Sequence, residues 1–512
     1  MTMIDPAGGA PSTPRLTPRR PGILGNLRLI HLVPILVLLV LSGWAIASPV
    51  GSAPDDDFHL TSIWCANGAR TDLCLPGPTA QERIVPPAVL YAPCFGQDAK
   101  VTAVCQSGYL KQGSEPTVVT RRGNFENNYP PLYYATMNLF AGPDLIGSAL
   151  TMRLVNILLF SAISTALWML LPASRRTSLV WGWLITSVPL GLFILASNNP
   201  SSWAIMGVGF SWLALLGYFE SRGRRRIGLG AIFGITALMA AGARGDAALY
   251  TVLGVAIAGF LTFRPTRGWL LPAILPGAMS IVAIVFFITS QQSGVISQGL
   301  GNGQTHPGAL SDPIVLFAYN ILSVPSLWAG VFGVGWGLGW LDTSMPAIVG
   351  IGALCVFIAV AFTGIADASR RKSIAVTGLA IVLWLLPTYV LVRGLNVVGE
   401  NVQPRYLLPL IVIMGGLAVL PVVRRGLTFG RFQIAAVAVV LIIAQTVALH
   451  VNLRRYVTGI SHQGWNLNSG IEWWWSDAIV SPMVVWGVGS LAFAALVFIL
   501  IREVTRKHEF IS

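Results

Sequence analysis

The sequence predicts an all-α polytopic membrane protein of about twelve transmembrane helices, with a disulfide-bonded loop of about 97 residues after the first of them. Three observations predict it. Apolar runs of about 18 or more residues recur along the chain, each enough to cross roughly 30 Å of hydrocarbon. The 512 residues are 54% hydrophobic and only 10% charged. The Lys and Arg residues that give a net charge of +13 cluster between the apolar runs, as the positive-inside rule expects of cytoplasmic loops. A β-barrel would instead show alternating segments of about ten residues.

Residues 1–28 are rich in Pro, Thr and Arg and read as a disordered cytoplasmic tail. Residues 29–512 read as a single membrane domain. Its first run, 29–48, is long for a signal peptide and ends in a weak cleavage sequence, so it is kept as a span. Further spans are expected near 146–171, 178–196, 201–219, 227–243, 247–263, 269–289, 345–366, 373–393, 405–423, 432–450 and 481–501. Starting inside, twelve spans return the C-terminus inside. Then 21 of the 33 Lys and Arg residues fall on the cytoplasmic side, including Arg222, Arg224–Arg226, Arg370–Lys372 and Arg424–Arg425. Both termini are therefore expected in the cytoplasm, with the chain in the cytoplasmic membrane. One further apolar stretch, 313–341, would invert every later basic loop if it crossed. It is expected to enter and return, or to lie at the outer interface, and its Gly, Pro and Trp content suits either.

Residues 49–145 are then extracytoplasmic, as is a later loop at 451–480. Four of the five cysteines, Cys65, Cys74, Cys94 and Cys105, lie in the first loop. An even number on an oxidising side reads as two disulfides, in one of three connectivities. The basic clusters are explained by topology, so no nucleic-acid partner is implied. No Walker motif and no G-x-G-x-x-G preceding a helix is present, which argues against nucleotide-driven chemistry inside the cell. Function is expected at the outer face, with membrane lipids as surroundings.

The charges that need a reason lie there. Asp55, Asp56 and Asp57 follow Pro54 just past the first span, with His59 beside them. Three adjacent carboxylates repel one another. They are relieved by solvation, by a cation or by a raised pKa on one member. One reading is a solvated acidic flank. The other is catalysis, with a carboxylate at the membrane surface as general base and His59 sharing a helical face with Asp55 or Asp56. Later in the loop, residues 124–134 read NFENNYPPLYY. Tyr129, Tyr133 and Tyr134 suit either an interfacial aromatic belt or sugar stacking, with Glu126 and Asn128 as hydrogen-bonding partners.

Four motifs carry a resemblance. Pro54–His59 is similar to a P-D-E-x-x-H motif, Tyr129–Tyr134 to H-P-P-L-Y-Y, Gly339–Thr343 to G-W-L-D-T, and Gln403–Pro409 to Q-G-R-Y-x-x-P. All four belong, in this order, to DUF2142, a family of membrane proteins. That family in turn resembles the GT-C glycosyltransferases, multi-span enzymes that use polyprenyl-phosphate sugar donors and carry a catalytic acid in the first outer loop. Two positions depart from the pattern: Asp56 stands where the motif has Glu, and Tyr129 where it has His.

The resemblance implies transfer of a sugar from a polyprenyl-phosphate donor to a cell-envelope glycan or glycolipid. Asp55, at the motif's Asp position, would be the base, with Asp56 and His59 orienting the site. Arg405, in a family-like motif, Arg244 and Arg393 would hold the donor phosphate, for which a guanidinium is suited. No cofactor is certain; Asp55 and Asp57 could hold Mg²⁺, Mn²⁺ or Ca²⁺, and the site could work without one. The alternative is a transporter or flippase of lipid-linked glycans, which charges in the middle of spans would favour.

Overall fold

The computed structural model describes residues 29–509 except 69, 71, 301–307, 367, 422–428, 463 and 477–479. The expected disordered tail 1–28 and the Arg424–Arg425 pair lie outside the described residues. Among those described, eleven helices are long and apolar enough to cross a membrane. Ten coincide with predicted spans. The predicted span at 405–423 is a shorter helix, Pro404–Ala418. The one at 178–196 is broken into Ala173–Leu184 and Leu190–Leu195. Pro189 lies between these pieces and cannot donate a helical hydrogen bond.

The eleventh candidate is Pro313–Val331, which consists of the helices Pro313–Ser323 and Pro325–Val331. Asn320 donates to Asn396 O at 2.9 Å, just past the end of the Arg370–Arg393 helix. Trp328 donates to Leu383 O, roughly 15 Å further down that helix at 1.5 Å per residue. The chain then comes back. Trp340 donates to Gly51 O at 2.9 Å, beside the acidic run.

Residues 49–144 fold over the same end of the bundle. They hold the short helices Asp56–Trp64, Pro87–Tyr91, Gln106–Leu110 and Leu132–Asn138. A small antiparallel sheet runs through Leu75–Pro76, Arg83–Val85 and Val118–Thr120. Disulfides join Cys65 to Cys74 and Cys94 to Cys105. Segments this short bury little apolar surface, so cross-links that limit the unfolded chain are an effective support.

Two buried arginines fasten this cap to the spans. Arg153, inside the Leu145–Leu170 helix, donates to the carbonyls of Ala45, Ser48 and Pro49 at 2.5–2.7 Å. It thereby holds the exit of the first helix, Val33–Ile46. Arg455 pairs with Asp342 at 3.0 Å and also donates to Val101, Phe95 and Asp98 carbonyls. These carbonyls lie inside the loop closed by Cys94 and Cys105. The aspartate of the G-W-L-D-T segment is therefore a structural ligand of Arg455.

Candidate functional site

Asp55 precedes the Asp56–Trp64 helix with φ 59° and ψ 25°. A non-glycine residue in this left-handed region is strained, at a cost of about 1–3 kcal/mol where the surroundings enforce it. Here they do. Asn199 donates to Pro54 O at 2.8 Å, and Phe58 and His59 N–H groups both bond to Asp55 O. The turn throws the Asp55 carboxylate out of the helix between two arginines. Arg405 donates to Oδ2 at 2.6 Å and Arg122 to Oδ1 at 3.2 Å. Arg122 also grips Asp57, through Nε at 2.8 Å and Nη2 at 3.1 Å. Burial alone would raise the Asp55 pKa, but Arg405 and Arg122 outweigh it and hold the carboxyl down at about 2.

The other two members of the predicted acid set turn inward. Asp56 is fully buried. Its Oδ2 accepts from Ala53 N at 3.1 Å, and its Oδ1 has no hydrogen-bond partner among the described residues. Burial pushes its carboxyl up to about 7. Its bond from Ala53 N closes the turn that opens the helix. His59 lies one helical turn after Asp55. Its Nδ1 is 2.9 Å from Tyr134 OH, and burial holds the ring neutral by lowering its pKa.

Arg405 is buried, with its Nη2 shared between Asp55 and Tyr406 OH and its Nε and Nη1 without hydrogen-bond partners among the described residues. Arg244 is also buried and forms a two-pronged pair with Asp246 at 2.8 and 2.9 Å. Both guanidinium groups lie against the Tyr406 ring, with Cζ 4.5 Å (Arg244) and 5.1 Å (Arg405) from its centroid. Arg244 also lies 5.5 Å from the Tyr129 ring. Tyr129 is thus placed against a guanidinium, and its hydroxyl is pushed up to about 12, chiefly by burial.

These rings form the polar end of a cavity of about 840 Å³. It runs between four helices, Gly245–Thr262, Arg267–Thr289, Arg370–Arg393 and Pro404–Ala418. Leu249, Phe287, Leu386 and Val390 line it further in, and Val295 and Ile296 close it on one side. A guanidinium with unused N–H groups thus stands just behind the aromatic end of an apolar space.

The remaining predicted residues are placed differently. Arg393 is exposed and donates to Ser297 O, so it holds the segment that borders the cavity and does not reach the arginine pair. Glu126 is exposed and Asn128 half-buried on the loop leading to Tyr129. Asn124 closes that loop through bonds to Tyr129 N and O at 2.7 and 2.9 Å. Tyr133 is buried against Trp203 and faces the bundle. The Asp55 and Asp57 oxygens that would ligate a divalent cation accept from Arg405 and Arg122. Among the described residues, no group of three or more His, Cys, Asp or Glu is gathered for a metal.

Sequence reasoning did not assign roles to Arg122, Asn199 or Tyr406. The signal that could have found Arg122 is its place in the predicted outer loop, where a cation is unusual.

Residues 38–414 match the model of the family described as "Predicted membrane protein (DUF2142)". This is well over half of the chain, which therefore belongs to that family. No curated protein and no solved structure matches the chain.

Proposed function

We propose that this DUF2142 protein is a glycosyltransferase that moves a sugar from a polyprenyl-phosphate donor to a hydroxyl of a cell-envelope glycan or glycolipid at the outer face of the cytoplasmic membrane. The observation that carries the reading is the Arg405–Asp55 bond beside an apolar cavity. A lipid-phosphate sugar has that shape: a long apolar tail, one anionic group at the headgroup level and a polar sugar beyond it.

In the proposed step, the acceptor oxygen attacks the anomeric carbon and the bond from that carbon to the phosphate oxygen breaks. The phosphate leaves with the electron pair, and the acceptor proton passes to the Asp55 carboxylate. Arg405, with Arg244, neutralises the leaving phosphate. At rest, Asp55 is a weak base because Arg405 and Arg122 stabilise its anion. A phosphate seated past the Tyr406 ring, between the cavity and Asp55, would compete for Arg405. Each hydrogen bond that Arg405 moves from Asp55 to the phosphate makes Asp55 more basic, so the base is activated only when the donor is present.

The charges within the spans favour this reading over a transporter. Arg153 and Lys372 donate to backbone carbonyls, as helix-end fasteners do. The test is binding of a polyprenyl phosphate to the purified protein in nanodiscs, read as a thermal shift. Wild type and Asp55→Asn should be stabilised. Arg405→Gln should lose about tenfold in affinity, equivalent to 1.4 kcal/mol. Equal shifts in all three proteins would remove the basis for the donor site.

A further inference from the structure

A second cavity lies at the opposite end of the bundle from the carboxylates. It is a groove of about 910 Å³ between the Val33–Ile46, Leu145–Leu170, Ala173–Leu184 and Pro482–Glu509 helices. Its walls are almost wholly apolar, with Leu41, Phe160, Leu184 and Leu500 among them. Along the first helix it extends over residues 30–41, roughly 16 Å at 1.5 Å per residue. That is about half of a 30 Å hydrocarbon layer, the depth of one leaflet.

The mouth of the groove is cationic. Trp168 lines it, and the Arg176 guanidinium lies over that ring with Cζ 5.0 Å from the centroid. Arg176 Nη2 makes a long bond of 3.5 Å to Met169 O, and its Nε is buried without a hydrogen-bond partner among the described residues. Arg225 and Glu503 are close enough for their charges to act on it. A buried N–H without an acceptor is unfavourable, and a phosphodiester at this level would supply one in the geometry a guanidinium suits.

We infer that this groove binds one anionic diacyl phospholipid, with an acyl chain along the Val33–Ile46 helix and its phosphate on Arg176 and Arg225. A zwitterionic lipid carries its own cation to the same place and gains less from the two arginines. The lipid would fill the space between the first helix and its neighbours, far from Asp55. It is distinct from the donor proposed above, and its presence does not depend on that proposal.

The experiment uses the full chain. Native mass spectrometry of protein purified in mild detergent should show one retained phospholipid per chain. In phosphatidylcholine nanodiscs, added phosphatidylglycerol should raise the unfolding temperature. Arg176→Gln combined with Arg225→Gln should weaken the phosphatidylglycerol effect about tenfold. Ser164→Leu, which fills the groove and leaves the arginines intact, should abolish retention of the lipid. Retention by the arginine variant equal to wild type would overturn the inference. So would recovery of only phosphatidylcholine or a polyprenyl phosphate, or an equal phosphatidylglycerol effect in both proteins.

Discussion

Asp55 and Asp56 are neighbours in sequence and opposites in environment. Asp55 faces two guanidinium groups at a partly exposed edge, and Asp56 is sealed in the bundle beneath it. The contrast predicts a pH dependence. Asp56 titrates at about 7 in the fold and near 3.8 when unfolded. Between these values the folded state binds the extra proton, so its contribution to stability falls as pH rises from about 4 to about 7. His59 works the other way: its pKa is lowered on folding, so its share of stability rises with pH up to its ordinary value of 6.5. Comparing wild type with Asp56→Asn by thermal unfolding at several pH values isolates the first effect. The stability gained on replacing Asp56 should grow from pH 4.5 to pH 7.5; a flat difference would contradict the burial assigned to this carboxyl.

The motif Pro54–His59 marked the acid run as a candidate site, and helical spacing put His59 on a face with Asp55 or Asp56. The inward turn of Asp56 was not legible. It depends on the left-handed Asp55 backbone, held by Asn199 from more than a hundred residues away. The partner of Arg122 was not legible either, because its pairing with Asp57 spans 65 positions.

At the scale of elements, the site rests on fasteners more than on its own helix. The Asp56–Trp64 helix is nine residues long, too short to be stable alone. Arg455 holds the 95–101 loop through three carbonyls and one carboxylate, and Trp340 reaches across to Gly51. Asp342→Asn should therefore destabilise the protein, at the lower end of the about 3–5 kcal/mol typical of breaking a buried pair, since the carbonyl ligands remain. It should raise protease cleavage within 95–105 while leaving the spans intact. Removing the Cys94–Cys105 bond by Cys→Ala at both positions should have a similar local effect, about 2–4 kcal/mol. Unchanged protease patterns in both variants would show that the cap is held elsewhere. Helix existence was readable from apolar runs at nearly every span. The break at Pro189 was readable only in part, since proline is tolerated in spans when neighbours satisfy the freed groups.

At the scale of the whole molecule, all the proposed chemistry lies at one end and the arginine-rich loops at the other. The charge bias predicts that the arginine end is cytoplasmic. Single cysteines introduced at Ser114 and at the exposed Ser174, with Cys355 replaced, should separate the faces. An impermeant thiol reagent applied to whole cells should label position 114 directly and position 174 only after lysis. The reverse pattern would place the site inside the cell and remove the proposed envelope acceptor. This two-ended arrangement was legible early, because basic residues are sparse and cluster by side. The two cavities were not, because each is formed by helices that are distant in sequence.

The most direct measurement is complementation of a deletion strain with wild type or Asp55→Asn at matched membrane levels, followed by analysis of the sugars and linkages of the envelope glycans. The account predicts that one sugar or branch is lost on deletion and returns with wild type only. Full restoration by Asp55→Asn would contradict it, because a carboxylate that can be replaced by an amide is not the base.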